Sequence, residues 1–575
     1  MKVKLLTTAV CASLALTAWA DGARAADALN LSLPATAAGT AALAQSQDAQ
    51  SQDASQATDE QKKAKELNKI VVTGSLIPRA QIETATPSVQ ITAEDIKAQG
   101  FKSVYEALKS TPFATGGVQG NQDSASFTQG AQTLSLFGLD PGFTLILVDG
   151  HPLADYPLLY NGESNFVDLS SIPTAMVDHI DIVPGNQSAI YGSSAIAGVV
   201  NIVLKQKVDG IDLGVRVGGY SQGGGASQRI SLVGGHSFGK LDAIFGLQYD
   251  NSDPIWAYQR NWTDSYLDNP SGNGVASRDR LHLAYSLPDF SYLGYIDPGE
   301  HACDGITNLF NGTEKYQYRP GSGYYCGSTE TAGYTTLKNK YQDTAGYLSL
   351  KMPLGDNAQA YANFIFDHSK VFYNVGSGYT WWGANDGGYF VDANAGQLAL
   401  AQWAFAPEEV GGYENIGSNQ VKDAYNSTIG VRGNFGDSDW AYDAYYDRSQ
   451  VWVTSHERER MSAKIDAYFE NLFLGPQLGE WYGYPVYAPD WDKFYTNAIT
   501  PEVYRSFTDM LTSKSQSWMQ HVNAVFTNTN LFDLPGGSAG IAALVQAGNQ
   551  HWSLRPDQRF VDGEVWGSVR RTGHG

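Results

Sequence analysis

From Gly210 onward the side chains alternate between apolar and polar. This pattern restricts the chain more than any other feature, because a period of two belongs to a strand and not to a helix. In Leu241 to Tyr249, the residues Leu241, Ala243, Phe245, Leu247 and Tyr249 share one face, and Asp242, Gly246 and Gln248 share the other. Ile244 breaks the rule on the polar side. Ala358, Ala360, Ala362, Phe364 and Phe366 likewise stand against Gln359, Tyr361, Asn363 and Ile365. Tyr425, Ser427, Ile429, Val431, Gly433 and Phe435 oppose Asn426, Thr428, Gly430, Arg432 and Asn434. Trp440, Tyr442, Ala444 and Tyr446 follow, opposed by Asp443, Tyr445 and Asp447, and Gly436-Asp437-Ser438 makes the turn of a hairpin between the two runs.

These runs are about ten residues long, enough for a tilted strand to cross a bilayer. Their apolar faces carry Trp, Tyr and Phe near the ends, as interfacial girdles do. Short turns at Leu354 to Asn357 and Phe435 to Ser438 alternate with long polar stretches at Asn251 to Arg278 and Lys370 to Gly417. A β-sandwich shares the alternation but ordinarily has shorter strands and loops. Short turns on one side and long loops on the other favour a transmembrane β-barrel, and the chain holds candidates for roughly 10 to 12 strands. No later segment is apolar over the length that a spanning helix needs.

Composition agrees. Glycine numbers 61 and tyrosine 33 in 575 residues, and charged residues are only 17%, which suits strands joined by turns. The net charge of -21 argues against nucleic acid as a partner. Residues 1–25 have Lys2 and Lys4 before an apolar run, then small-x-small sites at Ala18-Trp19-Ala20 and Ala23-Arg24-Ala25, the pattern of a secretory signal. Residues 26–66 form a Gln-, Ser-, Ala- and Asp-rich tether that cannot bury enough apolar area to fold. Residues 67–75 include Lys69, Ile70, Val71, Val72 and Thr73, a β-branched run at the end of that tether, suited to pairing with another chain. An ordinary first strand of the next domain is the alternative.

Residues 80–205 read as a small α+β domain. Strands are expected at Ser88 to Ile91, Thr144 to Val148, His179 to Val183 and Val199 to Leu204. Helices are expected after Thr92 and after Ser103, each capped by a hydroxyl. Asp149-Gly150 turns the chain after the buried strand Thr144 to Val148.

Chemistry-bearing clusters are few. His456-Glu457-Arg458-Glu459-Arg460 follows a strand, where neighbours point to opposite faces, so a solvated rim or lumen wall explains it better than a metal site. Gly223-Gly224-Gly225 lacks the lysine of a phosphate loop. No catalytic, cofactor-binding or metal-ligating residue is expected, and the chain is not read as an enzyme. Cys303 and Cys326 share one Gly- and Tyr-rich stretch, and export permits a disulfide between them. Tyr379, Trp381, Trp382 and Tyr389 form an aromatic cluster in a long polar loop. They fit either ligand stacking or the interfacial girdle, the commoner origin.

Four stretches in this order resemble the TonB-dependent outer-membrane receptors. The coupling run looks like Lys69-Ile70-Val71-Val72-Thr73-Gly74-Ser75. The plug domain looks like Ser135 to Leu139 with Thr144 to His151, then His179 to Gly185, then Ser188 to Ile202. The family usually carries arginine at the positions of Phe137 and His179, glutamate at Asp181 and aspartate at Ser194. The resemblance implies a plug over residues 80–205 and part of a barrel over residues 210–575, about half of a 22-stranded one. The ending Arg570 to Gly575 looks more like a loop than a closing strand, so the sequence is expected to be truncated. The implied activity is energy-coupled import of a scarce, bulky nutrient such as a siderophore, saccharide or peptide. It would take place in the outer membrane of a Gram-negative bacterium, with TonB, lipid and the nutrient as partners and no cofactor. A secreted β-rich carbohydrate-binding module, or a non-functional receptor fragment, is the alternative.

Overall fold

A hydroxyl and a carboxylate start the first ordered element. Thr92 accepts from the Asp95 amide and Asp95 reaches back to the Thr92 amide, a capping box that opens α1 (Ala93–Ala98) directly after β1 (Val89–Thr92). Ser103 caps α2 (Val104–Lys109) in the same manner. These elements come from a computed structural model, which describes residues 88–115, 119–120, 128–271, 274–287, 289–375, 380–383, 388–535 and 537–575. The expected signal, tether and coupling run (Lys69, Ile70, Val71, Val72 and Thr73) lie outside the described residues, as does Tyr379.

The α+β domain is completed by β2 (Thr144–Val148), β3 (His151–Pro152), β4 (Val177–Pro184) and β5 (Gly198–Leu204). The sheet order is β1-β4-β5-β2-β3, parallel between β2 and β5 and antiparallel elsewhere. Its core comprises Val104, Leu108, Leu136, Ile146, Ile180, Val200 and Ile202, all buried. Burying a side chain of this size contributes about 1.5–3 kcal/mol.

Beyond Gly210 the chain forms one ten-stranded antiparallel sheet. Its members are β6 (Gly210–Gly218), β7 (Ser227–Phe238), β8 (Leu241–Ser252), β9 (Lys340–Pro353), β10 (Ala358–Tyr373), β11 (Ser418–Asn434), β12 (Trp440–Arg460), β13 (Thr508–Leu534) and β14 (Gly537–Arg555). The tenth is the two-residue strand Gly573–His574 beside β14. Each strand pairs with its neighbour in sequence, and β6 lies at one edge. The arrangement is a large, open meander. About half of a 22-stranded barrel was the expectation; closure of the sheet is not a feature of the described residues.

The register sorts the two faces. Reading straight across, Ala243, Leu350, Ala362, Ile429, Tyr446, Val522 and Ala547 are successive cross-strand partners. One residue along each strand the row becomes Ile244, Ser349, Asn363, Thr428, Asp447, His521 and Gly548. The first row lies on the face whose Phe245, Leu247, Phe364, Ile429 and Val522 are exposed, and the second on the face turned to the α+β domain. Ile244, the exception in the sequence pattern, is buried in the α+β core together with Tyr347 and Ile365.

The long stretches between strands are not irregular loops. They fold into a second layer with a nine-stranded sheet of short strands and a core of aromatic side chains. Residues 253–339, 374–417 and 461–507 all contribute, and Trp381, Trp403, Phe405, Phe469, Phe494 and Tyr504 are fully buried there. Arg280 joins the three. It donates to Glu409 at 3.0 Å and to the carbonyl oxygens of Phe494 (2.9 Å) and Asn497, and its guanidinium lies 3.5 Å over the Trp403 ring. Glu409 also accepts from the Ala406 amide at 2.9 Å and the Ile499 amide at 3.2 Å. Both charged side chains are essentially unexposed, so each one's desolvation is offset by the other, by these hydrogen bonds and by the Trp403 ring, whose indole N–H also donates to Glu409 at 3.3 Å.

Candidate functional site

The α+β domain meets the large sheet through buried polar contacts. Lys422 on β11 points inward and donates to Asp168 at 2.6 Å and to Ser170 at 2.6 Å. It also pairs with Asp367 on β10 at 2.8 Å. Asp168 is positioned locally as the cap of a short turn at Leu169–Ser171, accepting from the Ser170 amide at 3.0 Å and from the Gln132 amide at 2.8 Å. All three charged side chains are at most 4% exposed. One lysine shared by two carboxylates, one from each layer, is therefore a joint between the domain and the sheet. The Ala154 amide donates to Ser449 at 2.7 Å, Tyr156 to Gln420 at 3.0 Å, and the Ala175 amide to Gln248 at 3.1 Å. Ser517 donates to the Asp155 carbonyl. Met176 packs where Gly246 leaves room; a Cβ there would overlap its sulfur.

The hairpin between β2 and β3 reaches the same inner face further along. Asp149 and Gly150 have φ of 49° and 82°, the two left-handed residues of a type I′ turn. The Asp149 carboxylate accepts from the Leu204 amide at 2.8 Å. Burial pushes this carboxyl up to about 6, against the Leu204 hydrogen bond and the nearby charges of Lys351 and Arg432. Burial also pushes His151 down to about 4, so the ring is neutral at neutral pH; it lies edge-on to Tyr445, with centroids 4.5 Å apart. A cavity of about 30 Å³ separates Asp149 and His151 from Tyr347, Asn363, Thr428 and Asp447. His179 on β4 is held 2.7 Å from Asp178 and 3.7 Å from Asp181. These two carboxylates, Asp181 foremost, raise the imidazole to about 9, so it is a cation at neutral pH.

A small mixed sheet with a turn at Asp149-Gly150, seated by buried ion pairs on one face of a long antiparallel meander, has a counterpart among known families. The TonB-dependent Receptor Plug Domain matches residues 80–199. This part of the chain is a TonB-dependent receptor plug domain. Solved outer-membrane receptors are similar to the chain at low identity. A ferric enterobactin receptor mutant from Pseudomonas aeruginosa is 14% identical with a TM-score of 0.39, covering 82% of this chain and 56% of the receptor. The ferripyoverdine receptor of the outer membrane of Pseudomonas aeruginosa is 11% identical with a TM-score of 0.43, covering 87% and 48%. The siderophore receptor PiuA from Acinetobacter baumannii is 12% identical with a TM-score of 0.33, covering 84% and 65%. The chain spans about half the length of the first two, as these coverages show.

Among the aromatics singled out in the sequence, Trp381 has no exposed surface. It stacks on Phe469 with centroids 4.0 Å apart and pairs in register with Trp403. It is a core residue of the outer layer, which corrects its reading both as a ligand contact and as part of a girdle. A tryptophan run in a polar loop has the composition of either, and only the packing of three separate loops around it buries it. Trp382 is half-buried against the same core. Tyr389 is half-buried at the surface, edge-on to Tyr285 (5.3 Å) and near Tyr484 (6.5 Å). Cys303 and Cys326 are joined as a disulfide, and both lie in the outer-layer core. Glu457 in the charged run pairs with Arg570 at 2.6 Å. Among the described residues no group of three or more His, Cys, Asp or Glu is placed to hold a metal ion.

The plug's anchoring residues were not singled out in the sequence. Lys422 stands between alternating residues without marking itself as buried. The available signal was Asp168 in Val167-Asp168-Leu169-Ser170-Ser171, an acid followed by hydroxyls just before the turn into β4. Of the plug departures, His179 keeps a positive charge, protonated between Asp178 and Asp181, where the resemblance leads one to expect arginine.

Proposed function

We propose that the chain is part of an energy-coupled outer-membrane receptor, in which the sheet from Gly210 to His574 belongs to a transmembrane barrel and the plug occludes it. One observation carries this reading. Two adjacent cross-strand rows differ in character: the row through Ile429 is apolar, with Ile429, Tyr446 and Val522 exposed, whereas the row through Thr428 holds Ser349, Asn363, Asp447 and His521 and meets the plug at Ile244, Asn363, Thr428 and Asp447. A secreted binding module gains nothing by exposing a continuous apolar band, whereas a bilayer requires one. The long connections would then face outward and the short turns the periplasm.

In this reading a scarce, bulky nutrient binds at the outer layer and passes when the plug shifts. The outer membrane has no ATP, so the work must arrive from the inner membrane through a protein contact. Lys69, Ile70, Val71, Val72 and Thr73 are suited to pair with TonB as an added strand, with Ile70 and Val72 on one side and Val71 and Thr73 on the other. The signal segment in residues 1–25 would route the chain out of the cytoplasm.

Two measurements test this. The protein should fractionate with outer membranes and need detergent for extraction; recovery in the periplasmic wash would favour a soluble module. Val71→Pro removes one backbone donor from the coupling run. Cells making this variant should bind nutrient at their surface as before while uptake falls to background. Undiminished uptake would take the coupling role away from that run.

A further inference from the structure

The surface of the outer layer carries a second aromatic cluster, distinct from the buried one. Tyr292, Tyr285, Tyr389, Tyr484 and Phe290 form a continuous chain of rings, with successive centroids 5.5, 5.3, 6.5 and 6.1 Å apart. Trp481 is the cross-strand partner of Tyr484 and extends the cluster. Phe290 (45%), Tyr292 (48%) and Trp481 (47%) are about half exposed. Trp381, by contrast, has no exposed surface.

Charge defines what such a surface can hold. The stretches that supply these rings, residues 281–300, 374–417 and 475–490, contain no Lys and no Arg. An anionic ligand, such as an iron complex of catecholates or citrate, would meet no counter-charge from them. Among the described residues, two acidic neighbours in sequence, Glu480 and Asp289, are turned away or engaged. Glu480 precedes Trp481 on its strand and so points to the opposite face. Asp289 is engaged by the Ser291 hydroxyl at 3.1 Å and the Ser291 amide at 3.3 Å. What remains is a set of ring faces bordered by phenol hydroxyls, which both donate and accept. That combination suits a molecule with flat apolar faces and hydroxyl edges and without charge.

We infer that the Tyr285–Tyr292–Tyr389–Tyr484 cluster is a stacking surface for an uncharged oligosaccharide. Sugar rings lie on the aromatic faces and their hydroxyls meet the phenols. The inference rests on the receptor reading for its biological sense, since it names the nutrient class, but its binding test does not depend on TonB.

The test uses the full chain purified in detergent, with isothermal titration calorimetry as the readout, against an array of neutral glycans. A ferric tris-catecholate and an oligo-lysine serve as anionic and cationic probes, and size-exclusion chromatography reports self-association. At least one neutral glycan should bind, with affinity unchanged between low and high salt. Tyr389→Ala and Tyr292→Ala should each weaken it about tenfold, while Tyr389→Phe, which keeps the ring and loses one phenol hydroxyl, should weaken it less, by about threefold. A melting curve matching the parent confirms that the variants fold, and Trp481→Ala, read in the same way, provides a second, peripheral substitution. Binding of the ferric catecholate or oligo-lysine alone, self-association through this face, absence of any glycan hit, or glycan affinity unaffected by the alanine variants would each overturn the inference. Glycan binding together with normal uptake by Val71→Pro would instead overturn the coupling reading and leave this one standing.

Discussion

At the scale of single residues, the joint between plug and sheet rests on Lys422. Its charge lies between Asp168 and Asp367 with no exposed surface to speak of. Removing one partner of a buried ion pair is far more damaging than removing all of it, because the remaining charge keeps its desolvation cost. Lys422→Met should therefore destabilise the seated plug by roughly 3–5 kcal/mol, seen as a lower denaturant midpoint in detergent. Adding Asp168→Asn and Asp367→Asn to it should recover much of the loss. If Lys422→Met alone were neutral, the joint would have no energetic weight. His179 makes a prediction with a direction in pH. Its folded value of about 9 lies above the ordinary 6.5, so the fold favours the protonated ring. That stabilisation is complete below about 6.5 and disappears as pH rises through about 9. An NMR titration should show the ring titrating near 9, and His179→Arg should make the plug's stability independent of pH in this window. A midpoint near the ordinary value would mean that Asp181 and Asp178 do not hold it. Ile244 teaches the converse lesson. In sequence it looked like an error in an amphipathic strand, yet it is correct, because the inner face is not uniformly wet: the plug covers it there.

At the scale of elements, the strands outrun their apolar alternation. Runs of about ten residues were legible, whereas β12 has 21 residues and β13 has 27. The apolar alternation stops, but the backbone keeps pairing with its neighbour, and pairing leaves no mark in composition. The starts of the short helices were legible because their caps are local: Thr92 with Asp95, and Ser103 with Glu106. The outer layer was not. Its segments read as polar loops, and its core exists only because three of them, far apart in sequence, converge on Trp403 and Arg280. Arg280→Met should leave Glu409 buried without its partner and loosen this layer alone by roughly 3–5 kcal/mol. Limited proteolysis should then cut within residues 253–339 while the plug and the long strands stay resistant. Arg280→Met combined with Glu409→Leu should restore protection. Unchanged protection in the single variant would show that the aromatic core alone holds the layer together.

At the scale of the whole molecule, the long sheet carries exposed apolar side chains on one face and the plug on the other, and the long connections fold into a separate aromatic layer. Membrane fractionation tests whether that apolar face meets lipid and Val71→Pro tests coupling, and each outcome is independent of the other. The sequence by itself determined what depends on neighbours along the chain: the period of two, the capped helices, the Asp149-Gly150 turn, and the plug motifs in residues 80–199. These follow from backbone geometry and from side chains that bond within a few residues. The tertiary structure alone decided which polar side chains are buried, that Trp381 is core while Tyr389 reaches the surface, and that Lys422 lies between two carboxylates. Burial depends on contacts between residues hundreds of positions apart, and the same tryptophan or lysine serves as surface or as core according to what the fold brings against it.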